Sequence, residues 1–118
     1  MKPMIRDQWI DRFQREAVPV IEKYYGPARI IFFGSRAIGT ATEESDIDVI
    51  IISEKFTTVP FIRRMENILK AIRFPRHVDA LCYTPEEFER IKTTSVIIEN
   101  ALSGSLQTDN ESGSPTCA

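Results

Sequence analysis

Apolar residues recur at three- or four-residue spacing from Ile5 through Trp9, Phe13, Ala17 and Ile21 to Tyr24. That spacing predicts an amphipathic helix over residues 5–25. Pro19 falls inside it and predicts a kink or break. Tyr25, Gly26 and Pro27 end the element with turn chemistry. The pattern then changes period. "ARIIFF" at 28–33 is a continuous apolar run, which reads as a strand covered on both faces. Residues 34–45 turn polar, with a helical turn expected near 35–38. "DIDVIIIS" at 46–53 is a second buried strand, and "EKFTTV" after it reads as a loop. From Pro60 to Phe74 an apolar stripe of Phe61, Met65, Ile68, Leu69 and Ile72 predicts a second long helix. Pro60 is placed as its first residue, with Thr58 as a nearby cap. Off the stripe, Arg63, Arg64, Lys70 and Arg73 read as a solvated face. "RHVDALCY" at 76–83 alternates as a third strand. In "TPEEFERI", Thr84 caps, Pro85 follows, and two acids sit at the positive helix end.

Residues 95–102 suggest one more short helix. From 103 to 118 the composition is that of a flexible polar tail, so the expected domain is 1–102. The order helix, strand, loop, strand, helix, strand, helix predicts an α/β (α+β) fold with one small sheet and helices mainly on one side. The connection between the first two strands is too short for a crossover helix. They are expected to pair antiparallel in a mixed sheet.

Bulk properties narrow the function classes. The chain has 118 residues, 42% hydrophobic and 27% charged, with 15 basic and 17 acidic residues. This fits one domain with a real core. A net charge of −2 argues against a protein that wraps nucleic acid by charge alone. Two cysteines, Cys82 and Cys117, give neither a disulfide framework nor paired metal-ligand spacing. No apolar run is long enough to span a bilayer, and the N-terminus lacks a signal-peptide core, so the expected compartment is cytoplasmic.

The candidate chemistry lies in "GSRAIGTATEESDIDVIII". Asp46 and Asp48 stand two residues apart at the mouth of a buried strand, so they aim the same way. A buried carboxylate is costly unless paired or metal-bound, and a pair of them invites a hard divalent cation such as Mg²⁺. Asp79 is embedded in the third strand and completes a three-carboxylate set if that strand lies beside the second. His77 shares the face of Asp79 and reads as a structural or supporting residue rather than a catalytic base. Gly34 and Ser35 follow a buried strand directly and can offer backbone N–H groups and a hydroxyl to phosphate oxygens. Arg36 could add charge toward a triphosphate or face solvent. Gly34 and Gly39 have the spacing of a Walker loop, but Thr40 and Ala41 stand where Lys and Ser/Thr are required, which excludes it. Trp9 with Phe13, and Cys82, read as core.

Together these residues resemble the signature of the DNA polymerase beta nucleotidyltransferase superfamily, and most of all its minimal nucleotidyltransferases. The resemblance covers residues 28–90. It implies that Gly34 and Ser35 hold a triphosphate, that Asp46 and Asp48 are paired metal ligands, and that Asp79 is the third carboxylate. It implies Mg²⁺-dependent transfer of an NMP from an NTP, with ATP the expected donor, to a hydroxyl acceptor. It also implies a HEPN-type protein partner or a homodimer. Two other classes stay open: a contact antitoxin that neutralises such a partner without catalysis, and a free-standing transferase acting on a small molecule.

Overall fold

The computed structural model describes residues 7–42 and 45–92, together with the backbone of 106–109. The first predicted helix is two. Helix α1 (Gln8–Glu16) is capped by Asp7, whose carboxylate accepts from the Trp9 and Ile10 amides at 2.8 and 3.1 Å. Helix α2 (Val18–Tyr25) starts afresh after Ala17 and carries Pro19 in its first turn. The missing N–H of proline has no intrahelical acceptor there, so the break falls just ahead of it.

Strand β1 (Arg29–Phe33), the short helix α3 (Ser35–Ile38) and strand β2 (Ile47–Ile52) follow. The expected loop 54–59 contains a 3-10 turn, Glu54–Thr58, capped by the Ser53 hydroxyl. Helix α4 (Phe61–Ile72) starts one residue later than expected, with Pro60 at the cap position and Thr58 inside the preceding turn. Strand β3 (Val78–Tyr83) and helix α5 (Pro85–Ile91) complete the central unit. At α5, Thr84 and Glu87 form the reciprocal capping box that "TPEE" announces.

The sheet has the order β3-β2-β1-β4. β1 and β2 are antiparallel, as the short connection required, and β2 and β3 are parallel across the α4 crossover. β4 (Leu106–Asp109) pairs antiparallel with the free edge of β1. The stretch 103–118, read from composition as a polar tail, therefore supplies a strand. An edge strand is held by backbone hydrogen bonds and needs no apolar run, which is why composition missed it. The helix expected at 95–102 lies outside the described residues.

Period-two alternation divides the sheet into two faces. Ile30, Phe32, Ile47, Val49, Ile51, Val78, Ala80 and Cys82 pack with Phe13, Ile21, Phe56 and Ile68 in the main core. Phe13 sits edge-on to both Phe32 and Phe74. Burial in this core pushes the Cys82 thiol up to about 12, so it is a small apolar residue rather than a nucleophile. The opposite face carries a smaller cluster, Ile31, Ile50, Ile52 and Phe88, covered by α5.

Helix α4 differs from its sequence reading. Phe61 and Met65 are exposed, together with Ile62, while Arg64 is buried. The buried face follows Arg64 and Ile68, four residues apart, instead of Phe61 and Met65. The guanidinium replaces an apolar contact with a hydrogen-bonded one. It donates to the Val59 and Cys82 carbonyls at 2.9 and 3.2 Å and pairs with Glu87 at 2.6 Å. It also lies over the Phe56 and Phe61 rings. The Arg64 bond holds the Glu87 carboxyl below its ordinary range. Arg64→Ala takes the guanidinium donor from two carbonyls and from Glu87, which keeps its bond from the Thr84 amide, and thermal melting should show a loss of about 2–4 kcal/mol. An exposed control, Arg63→Ala, should change stability by about 0.5 kcal/mol or less.

Candidate active site

The site is built where β1 ends and β2 and β3 begin. Parallel pairing sets Ile47 against Val78 and Asp48 against Asp79. Residues two apart share a face, so His77 and Asp79 on one strand line up with Asp46 and Asp48 at the other. The Ile47 amide donates to the His77 carbonyl at 3.0 Å and extends the register to this end. Intervening Ile47 and Val78 point into the main core and lock the alternation. The four polar side chains thus project from the α5 face of the sheet, beyond the apolar cluster that α5 covers.

One oxygen each from Asp46 and Asp79 and a ring nitrogen of His77 lie within 4.8 Å of one another. His77 Nε2 is 3.9 Å from both carboxylates. Asp46, Asp79 and His77 are about half exposed, while Asp48 is partly buried beneath them. The Asp48 carboxyl is pushed up to about 6, first by burial, then by the charges of Asp79 and Asp46, with His77 opposing. A group placed against its own ionisation is what a cation site needs, because a bound cation relieves both the burial and the repulsion.

Gly34 explains how β1 meets this cluster. Its backbone has φ 80° and ψ −166°, a region open essentially to glycine alone. A β-carbon there would stand 2.2 Å from Asp48 Oδ2. The chain thus turns directly against the carboxylate, and α3 starts at Ser35 with the Ala37 amide bonded to the Gly34 carbonyl. The turn 34–35 and the three aspartates share one end of the sheet.

Arg36 has a different place from the one considered for it. It is buried, and its guanidinium donates to Asp7 at 2.9 Å, to the Ser45 carbonyl at 3.0 Å and to the Thr42 carbonyl at 3.2 Å. It clamps the α1 cap and the connection leading into Asp46. Arg36→Met should therefore lower the melting temperature by an amount equivalent to about 2–3 kcal/mol. A pure phosphate ligand would leave the melting temperature unchanged. No local pattern announces this clamp, because Asp7 lies twenty-nine residues away.

The family model described as "Nucleotidyltransferase domain" matches residues 15–105. The chain belongs to that family. The nucleotidyltransferase match runs from within α1 to just before β4 and includes every residue of the carboxylate cluster. A solved structure of a "putative nucleotidyltransferase" from Sulfolobus solfataricus superposes with a TM-score of 0.50 at 21% identity. It covers 90% of this chain and 87% of that one, and it supports the fold. Caffeine-induced protein 16 of Schizosaccharomyces pombe is 38% identical over 50 residues, 42% of this chain. The matched stretch is 4% of that protein's length, so the likeness is local. Among the described residues, no helix is long and apolar enough to cross a membrane.

Proposed function

We propose that the protein transfers a nucleotidyl group from an NTP, with ATP the expected donor, to a hydroxyl acceptor, using Asp46, Asp48 and Asp79 with Mg²⁺. The observation that carries this reading is the approach of Gly34 onto Asp48 beside Asp79 and Asp46. It puts a backbone turn suited to phosphate oxygens against a set of carboxylates suited to a hard cation. The donor set fits Mg²⁺: three carboxylates on one face, one of them raised to about 6 by its burial and by the charges of the other two. When bound, the cation offsets phosphate charge and lowers the pKa of the acceptor hydroxyl.

The chain's own residues do the rest. The Gly34–Ser35 turn orients the triphosphate, and Asp46 and Asp48 hold the metal end of it. Asp79, half exposed beside them, faces the acceptor and receives the hydroxyl proton. The hydroxyl oxygen bonds to the α-phosphorus as the bond to the β-phosphate oxygen breaks, and pyrophosphate leaves. Arg36 keeps the connection into Asp46 in place.

A second reading, a contact antitoxin acting on a HEPN-type partner with little catalysis, is favoured by one observation. Phe61, Ile62 and Met65 form an exposed apolar group at the start of α4, suited to protein contact. One experiment separates the two. The protein is incubated with α-labelled NTPs and Mg²⁺, with and without the product of the neighbouring gene, and label transfer and pyrophosphate are followed. The proposal expects transfer that stops in EDTA and in Asp48→Asn. A stable complex with no label in any acceptor and no pyrophosphate would select the contact reading.

A further inference from the structure

The polar row on β3 holds one side chain that a pure Mg²⁺ site does not require. His77 is 66% exposed at its side chain, yet its Nε2 stands midway between two carboxylates, 3.9 Å from each. Its position follows from the sheet, because it lies two residues before Asp79 and beside the start of β2. It also borders an open cleft of about 290 Å³ lined by Ser45, Asp46, Pro75, Arg76 and His77, so a hydrated cation can reach it from solvent.

We propose that His77 is a metal ligand and that Asp46, His77 and Asp79 form a mixed nitrogen–oxygen site selective for a first-row transition cation over Mg²⁺. This deepens the reading above by naming the cation class that the nucleotide-free protein takes. Imidazole nitrogen suits such cations, whereas Mg²⁺ is held by oxygen and water. Ligand atoms around a cation with bonds of about 2.0–2.2 Å lie about 3.0–3.5 Å apart. The present separations, 3.9 Å to at most 4.8 Å, close to that by side-chain rotation alone. All three groups lie at the surface, with side chains about half exposed or more, which leaves room for them to turn toward a shared cation. The strands need not move. Asp48, lower in the cluster, remains the oxygen ligand directed to the nucleotide-bound metal.

His77 is the only histidine in the chain, which makes the test direct. In tag-free protein labelled with ¹⁵N, saturating Zn²⁺ should shift the Nε2 resonance and leave Nδ1 carrying the proton. Calorimetry with Mn²⁺ should show at least about a tenfold loss of affinity in His77→Ala, while Mg²⁺ affinity changes less than about threefold. Thermal melting in EDTA should match wild type, as expected for an exposed side chain. An Nε2 resonance unmoved by Zn²⁺, or an unchanged Mn²⁺ affinity in His77→Ala, would overturn the proposal. So would equal losses for Mn²⁺ and Mg²⁺, which would make His77 a residue that merely orients the carboxylates. The function reading is tested separately. Transfer that persists in Asp48→Asn sinks it whatever the Zn²⁺ result, and Mg²⁺-dependent transfer that is lost in Asp48→Asn leaves it standing even where the His77 proposal fails.

Discussion

Gly34→Ala should lower stability by about 2–4 kcal/mol and weaken Mg²⁺–nucleotide binding by about a hundredfold or more. Two independent causes act at this position. The backbone at φ 80° and ψ −166° is strained for any residue with a β-carbon, at about 1–3 kcal/mol. The new methyl would also overlap Asp48, standing 2.2 Å from Oδ2 and 3.2 Å from Cβ. The overlap is relieved most easily by turning the Asp48 carboxylate away, which takes the proposed metal ligand from its place. Stability and binding are thus lost for separate reasons, and they should separate experimentally. Thermal melting in EDTA reports the strain, and calorimetry with Mg²⁺ and a non-hydrolysable ATP analogue reports the displaced carboxylate. Wild-type affinity in Gly34→Ala would show that the turn does not press on the metal site.

Asp48→Asn should act in the opposite sense on stability while abolishing transfer. In the metal-free protein the Asp48 pKa rises from its ordinary 3.8 to about 6, so the folded state binds a proton that the unfolded state releases. Wild type is therefore free of this penalty below about pH 3.8, loses stability as pH rises through about 6, and carries the full penalty above it. At full strength the difference would be about 3 kcal/mol. The carboxyl is only partly buried, and solvent screening reduces the expected effect to about 1 kcal/mol. In EDTA, Asp48→Asn should equal wild type near pH 4 and exceed it by about 1 kcal/mol near pH 7.5. With Mg²⁺ and nucleotide the order should reverse, because only wild type is stabilised by binding. Transfer should fall about a thousandfold or more, equivalent to about 4 kcal/mol of barrier. An Asn variant that unfolds in EDTA would make Asp48 a structural strand-end acid.

The legible parts of the molecule were those fixed by short-range patterns. Continuous apolar runs placed β1 and β2, alternation placed β3, and the short 34–45 connection gave the antiparallel pair. The i, i+2 rule put Asp46 with Asp48, and His77 with Asp79, before any neighbour was known. That β3 lies beside β2 was only a condition in the sequence; parallel register met it by setting Asp48 against Asp79. What escaped notice depended on contacts between distant segments. Arg64 looked like a solvated charge because periodicity scores side-chain polarity, and a buried guanidinium with carbonyl and carboxylate acceptors satisfies the core as well as an apolar group. Arg36 read as a charge directed to a triphosphate or to solvent because its neighbours in sequence are the glycine turn, whereas its acceptors include Asp7 and the far end of the connection. β4 escaped because four polar-flanked residues carry no strand signal of their own, and only the open edge of β1 selects them.

The carboxylate cluster and the Gly34 turn are proposed to bind a nucleotide together through a divalent cation. The most direct measurement is calorimetry of the tag-free protein with a non-hydrolysable ATP analogue, first in Mg²⁺ and then in EDTA, for wild type and Asp48→Asn. Wild type should bind in Mg²⁺, with a loss of about a hundredfold or more both in EDTA and in the Asn variant. Equal affinity with and without Mg²⁺, or full affinity in Asp48→Asn, would contradict it.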